Sequence, residues 1–287
     1  MDALFPAPDP SPKRRIRRLR RAVPFRQVAP NLVTLLALCA GLTAIRMGIE
    51  GRYDMAVAGV VFAAVLDAID GRLARMLKTT SRFGAELDSL ADFVSFGVAP
   101  AFLIYVWRID TLESLGWIAG LVFAICAALR LARFNAALAD PDQPHWHKDF
   151  FVGVPAPAGA ICGLLPIFLE RMGVPVPEEA AGFVALYLVA IGVLMVSRLP
   201  TLSGKRLGAR IPRDVVLPVL VASVLVAALG MSYPFTMLAA AAIAYLGHLP
   251  LAWRIWQRRS LEHRRAEGTG RRTGDSGSEP ADDVPED

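Results

Sequence analysis

The chain has 287 residues, 54% of them apolar and 20% charged, with a formal net charge of +5. A positive mean hydropathy at this length is too apolar for a soluble domain. Three widely separated cysteines, Cys39, Cys126 and Cys162, have no metal-ligand spacing and read as small packing residues.

Residues 1–29 open with three prolines in the first ten, then run SPKRRIRRLRRAVPFRQVAP. Ile16, Leu19, Val23 and Phe25 among so many bases predict a cytoplasmic arm with an interfacial helix on an anionic leaflet. A nucleic-acid-binding arm is disfavoured because a membrane span follows at once. No secretory leader is visible ahead of that span.

Eight apolar runs come next: Asn31–Ile49, Met55–Met76, Ser89–Trp107, Ser114–Leu131, Val154–Leu169, Ala180–Val196, Val215–Gly230 and Pro234–Trp256. Each approaches the ~20 residues that cross a bilayer as a helix. The fifth holds Pro155, Pro157 and Pro166, which membrane helices tolerate where neighbours satisfy the freed backbone groups. The expectation is an all-α integral membrane protein, a polytopic bundle of about eight transmembrane helices. The segment after Glu267 is rich in Gly, Ser and acids and is expected to be disordered.

Orientation follows from Lys and Arg placement. With eight spans, 27 of the 31 basic residues share the side of both termini, and only Arg46, Arg52, Arg108 and Arg171 fall opposite. That predicts cytoplasmic termini and a cytoplasmic loop between the second and third spans.

Two of the spans carry carboxylates. Asp67 and Asp70 lie three residues apart, Asp88 and Asp92 four apart, so each pair shares one face of its helix. A charge at membrane depth costs at least ~2.5 kcal/mol. A short basic, hydroxylic connection makes the two helices antiparallel neighbours, and the stripes then converge near their cytoplasmic ends. Four oxygen-only ligands predict hard divalent cations, Mg²⁺ or Mn²⁺. The plain alternative, pairing with Arg72, Arg75 and Arg82, explains neither the spacing nor the depth, because buried ion pairs rarely repay desolvation. Gly71, Ala74 and Gly84 remove bulk beside the acids. With Arg75, they suit the approach of a nucleotide diphosphate. Asn31 and Thr34, three residues apart at the head of the first span, read from the residues alone as a helix start, with Pro30 at the first turn and Thr34 bonding back to a carbonyl.

The order D-x2-D-G-x2-A-R-x8-G-x3-D-x3-D is complete from Asp67 to Asp92. It resembles the signature of the class I CDP-alcohol phosphatidyltransferases, over a core of residues 30–210, with residues 211–256 as two additional spans and 257–287 as a tail. The resemblance implies a six-helix core, usually a homodimer, that moves a phosphatidyl group from a CDP-linked lipid to an alcohol and releases CMP. It further implies that Asp67, Asp70 and Asp88 bind one divalent cation and that Asp67, Asp88 and Asp92 bind a second, with Asp92 also the proton acceptor. Asn31, Thr34, Gly71, Ala74, Arg75, Ser81 and Gly84 fall at or beside its CDP-lipid contacts.

The segments FVSFGVAP, RLARFNAAL and FVGVPAPA are similar to the phosphatidylserine synthase branch, which implies CDP-diacylglycerol and L-serine as substrates in the inner membrane. Acceptor candidates are Ser95, three positions beyond Asp92, with Arg130, Arg133, Asn135 and Lys205. Topological anchoring competes as a reading of the two arginines. His145 and His147 flank Trp146 and read as an interfacial loop sooner than a metal site. Among rival functions, glycerol 3-phosphate or an inositol phosphate could replace serine. A membrane prenyltransferase would carry its aspartates far apart in sequence, and a cation transporter would leave Gly71, Ala74 and Arg75 without purpose.

Overall fold

The computed structural model describes residues 25–77, 81–138, 150–197, 200–202 and 213–250. The basic arm up to residue 24, Lys205, the His145–His147 loop and the C-terminal tail lie outside the described residues. α1 (Phe25–Ile49) and α2 (Tyr53–Leu77) form a helical hairpin, and Gly51, at φ 71°, supplies the left-handed residue that ends α1. Their faces meet closely because Gly59 lacks a side chain: a Cβ there would lie 3.0 Å from that of Ala44. α1 starts before the apolar run, so Pro30 sits inside the helix and not at its first turn.

The next span is continuous but not uniform. α3 (Arg82–Asp92) passes into one π-helical stretch, Phe93–Val98, and then into α4 (Ala99–Trp107). α5 (Ser114–Leu138) packs along α8 (Ala181–Val196), where Gly192 faces Phe123 and Cys126. Between them the proline-rich run breaks at Leu164 into α6 (Ala156–Gly163) and α7 (Leu165–Arg171), with a proline in the first turn of each. α9 (Arg213–Ser232) and α10 (Pro234–Pro250) follow, bent 116° from one another.

All eight apolar runs are therefore helical within the described residues. Among the described residues, α1, the α3–α4 span, α5 and α8 are long and apolar enough to cross a membrane by themselves, with α9 and α10 adding a fifth if taken as one broken span. α2 has the length, at 25 residues, but also carries Asp67, Asp70, Arg72 and Arg75. The site's own charges thus lower its apolar character. One departure from an all-helical chain is an antiparallel ribbon of two three-residue strands, Phe150–Val152 and Pro200–Leu202. Large apolar side chains such as Leu36, Phe62, Leu121 and Phe183 remain exposed on the helices, the surface a bilayer would cover.

The two ends of the bundle differ. At one end Arg46 and Arg52 pair with Glu50, Arg171 with Asp54, and Arg108 with Glu170. Glu170 also accepts from Trp107 Nε1 at 2.7 Å. These four arginines are the ones that the sequence sets apart from the other 27. At the opposite end lie the acids of α2 and α3.

Candidate metal centre and active site

Asp67 and Asp70 extend from α2 and Asp88 from α3, and one oxygen of each lies within 4.8 Å of the others. Asp92, one turn beyond Asp88, has its carboxyl within hydrogen-bonding reach of Asp67. The four carboxylates therefore form one cluster across the two helices, as their spacing predicts. Asp70 is buried and accepts a 2.7 Å hydrogen bond from Thr34 Oγ1, whose oxygen also lies 3.2 Å from the Pro30 carbonyl. A hydroxyl has one proton, and the nearer, charged acceptor holds it more strongly. Thr34 thus lies near the carbonyl one turn back, as the helix-start reading expects, and also ties α1 to the acid cluster.

None of the four acids forms an ion pair among the described residues. Pairing with Arg72, Arg75 or Arg82 is not what the structure shows. An all-oxygen, largely desolvated cluster fits a divalent cation, with Asp67, Asp70 and Asp88 as the three closest ligands.

The floor beside the acids is open. A Cβ added to Gly71 would meet only Arg75 Nη1, at 3.8 Å. Arg75 thus reaches back along the face of α2 over a vacant patch, with Ala74 half-buried beside it. Asn31, Ser81 and Gly84 come together where α1 meets the start of α3. A Cβ on Gly84 would lie 3.0 Å from Asn31 Oδ1 and 3.1 Å from Ser81 Oγ. Ser81 is the N-cap of α3, accepting from the Gly84 amide at 3.0 Å, which leaves its own O–H free to donate. Adding a methyl at Gly71 is expected to leave folding intact or slightly better, since Gly→Ala inside a helix gains roughly 0.5–1 kcal/mol. The same methyl would clash with a ligand lying on that floor by about 1–3 kcal/mol. Gly71→Ala should therefore raise the KM for the nucleotide-linked substrate by about tenfold with no fall in Tm, as steady-state kinetics and thermal unfolding of the purified protein would report.

The acceptor candidates separate. Arg130 is buried, stacks on Phe134 with its guanidinium carbon 5.3 Å from the ring centre, and has Asp92 and Asp67 as charged neighbours. Arg133 is committed elsewhere: its guanidinium donates to the Val196 carbonyl at 2.6 Å, Ser197 at 3.1 Å and Met195 at 3.4 Å, closing the C-terminus of α8. Asn135 donates to Ser89 Oγ at 2.7 Å and so braces α5 against α3 beside Asp88. Ser95 is buried, with its hydroxyl 3.3 Å from the Ala37 carbonyl and its backbone against Gly41. It lies within the π-helical stretch, with its hydroxyl turned to α1. Lys205 is outside the described residues. Two features had no sequence signal: the role of Ser89 as partner of Asn135, and a tyrosine of α10, Tyr245, close to Arg130.

Comparison with known proteins agrees with this geometry. A family described as CDP-alcohol phosphatidyltransferase matches residues 27–246, a range that extends past the expected core into α9 and α10. The chain is 40% identical over 243 residues to a CDP-diacylglycerol–serine O-phosphatidyltransferase of Mycobacterium leprae (strain TN), covering 82% of this chain and 77% of that one. It is 38% identical over 228 residues to the Mycobacterium tuberculosis (strain ATCC 25618 / H37Rv) protein of that name, covering 79% of each. A Helicobacter pylori (strain ATCC 700392 / 26695) protein so named is 35% identical over 170 residues, 59% of this chain and 70% of its own. Four clustered carboxylates on two adjoining helices, an open glycine floor between them and a match over most of the length place the chain in the CDP-alcohol phosphatidyltransferase family.

Proposed function

We propose that the chain transfers the phosphatidyl group of CDP-diacylglycerol to the hydroxyl of L-serine, giving phosphatidylserine and CMP. The observation that carries the reaction class is the convergence of Asp67, Asp70, Asp88 and Asp92 beside the vacant face of Gly71. The choice of serine is supported by the names of the relatives.

In this reading, Asp67, Asp70 and Asp88 would hold one divalent cation, Mg²⁺ or Mn²⁺, and Asp67, Asp88 and Asp92 a second. Cations bound there would supply neutralisation of the diphosphate and of the charge on the departing CMP. Arg75, Asn31, Ser81 and the flat surface at Gly71, Ala74 and Gly84 seat the nucleotide end of the lipid, while the acyl chains stay in the bilayer. Asp92 takes the serine hydroxyl proton as the oxygen bonds to phosphorus and the bond to CMP breaks. Arg130 receives the serine carboxylate, a charge-assisted contact whose loss costs roughly 1.5–3 kcal/mol. The enzyme works as a homodimer in the inner membrane, with the acids on the cytoplasmic side, the side expected from its basic residues.

CMP release from purified protein with CDP-diacylglycerol and a panel of alcohols tests the assignment. Serine should support turnover, and glycerol 3-phosphate and inositol phosphate should not. Release with glycerol 3-phosphate alone would move the chain to another branch. In the same assay Arg130→Ala should raise the serine KM by about tenfold or more. Arg133→Ala should instead lower Tm, because three carbonyls at the end of α8 lose their donor.

A further inference from the structure

The buried face of α1 is a row of small residues. Pro30, Thr34, Ala37, Gly41, Ala44 and Gly48 recur at four- and three-residue steps, and all are buried. Thr34 carries the one polar side chain in that row, and only 5% of it is exposed. Its Oγ1 lies 2.7 Å from Asp70 Oδ2 and 3.2 Å from the Pro30 carbonyl. The backbone of α1 thus offers the hydroxyl a local partner, and the carboxylate across the hairpin takes its proton instead.

Asp70 is equally sealed, at 4% exposed, and has no ion-pair partner among the described residues. A carboxylate presents about four lone-pair sites, and Thr34 occupies one of them. That bond sets the plane of the carboxylate and leaves the other sites for the space shared with Asp67 and Asp88, where the three oxygens lie within 4.8 Å of one another. We infer that Thr34 is a positioning residue for the cation site: its hydroxyl, donated across from α1, holds Asp70 in the orientation that completes the Asp67–Asp70–Asp88 set. The same proton cannot also be given to the nucleotide. The inference rests on the reading of these acids as cation ligands. It gives α1 a share in the metal centre, beyond its packing on α2.

Thr34→Val keeps the branched shape and removes the donor, whereas Thr34→Ser keeps the donor. Mn²⁺ binding to the full-length purified protein can be followed by the loss of the free-ion electron paramagnetic resonance signal, without substrate. Thr34→Val should raise the Kd for Mn²⁺ by about 10–100-fold, the range for removing the hydrogen-bond partner of a metal ligand. Thr34→Ser should bind close to the wild-type value. In the CMP-release assay the Mn²⁺ concentration for half-maximal rate should shift with the Kd, and the KM for CDP-diacylglycerol at saturating Mn²⁺ should hold. Should Thr34→Val not fold, the smaller Thr34→Ala carries the same readouts. An unchanged Kd overturns the inference: with a lower Tm it marks mere packing, and with a raised KM at saturating Mn²⁺ it marks a contact to the nucleotide. Failure of Thr34→Ser to restore binding overturns it as well. If the wild type itself binds no Mn²⁺, the reading of the acids as a metal centre falls first, and is seen to fall separately.

Discussion

Asp92→Asn is expected to lower kcat by about 10²–10⁴-fold, the range for loss of a positioned general base, while binding of the CDP-linked lipid survives in part. The amide keeps the shape of the side chain but accepts no proton. Asp92 is suited to the role by position. It is the last acid of α3, contacts Asp67, and lies outside the trio whose oxygens approach most closely. Asp67, Asp70 and Asp88 can hold a cation when Asp92 is replaced, so the variant should retain metal-dependent binding of a CDP-lipid measured without turnover. Near-normal kcat in this variant would take Asp92 out of the proton-transfer role. Loss of both binding and turnover would make it only a ligand.

Removing divalent metal is expected to abolish activity and to lower stability together. The acids of α2 and α3 are brought into one cluster without an ion-pair partner among the described residues, so stripping a cation leaves like charges facing each other in a poorly hydrated place. Chelation should therefore stop CMP release, and excess Mg²⁺ or Mn²⁺ should restore it. Binding to the folded state alone at one hundred times Kd contributes about 2.7 kcal/mol. Mn²⁺ added to chelated protein, without substrate, should thus raise Tm in a saturable way. Asp88→Asn should blunt that rise. Full activity after exhaustive chelation would end the two-cation reading, and a Tm insensitive to Mn²⁺ would show the cluster to be no metal site.

The carboxylate cluster was legible in the sequence because helical periodicity is local: positions three and four apart must share a face, whatever the rest of the chain does. The eight apolar runs were legible as helices from their length and apolar content. How many cross a bilayer was less so, since Pro166 and the bend between α9 and α10 are decided by what packs around them. The acceptor residues fared worse. Arg130 and Arg133 look alike in sequence, and only the arrival of the α8 C-terminus, 63 positions away, commits one of them to backbone carbonyls. Ser95 falls in a segment that is π-helical, which α-helical periodicity does not anticipate, and its hydroxyl turns to the Ala37 carbonyl of α1.

The π-helical stretch after Asp92 has a further consequence, for evolution. It behaves as one residue inserted into an otherwise regular rod, setting the lipid-facing side of α4 at an angle to the acid-bearing side of α3 that no uninterrupted α-helix would give. Within it Ser95 lies against Gly41 and a Cβ on Gly97 would come 3.0 Å from Ala127, so small side chains are required at both positions. Its length is fixed as well: deleting one residue would swing everything downstream by roughly 100°, parting α4 from its neighbours or turning the acids away from one another. Related chains should therefore hold the residue number of Phe93–Val98 fixed, a constraint of phase added to that of chemistry.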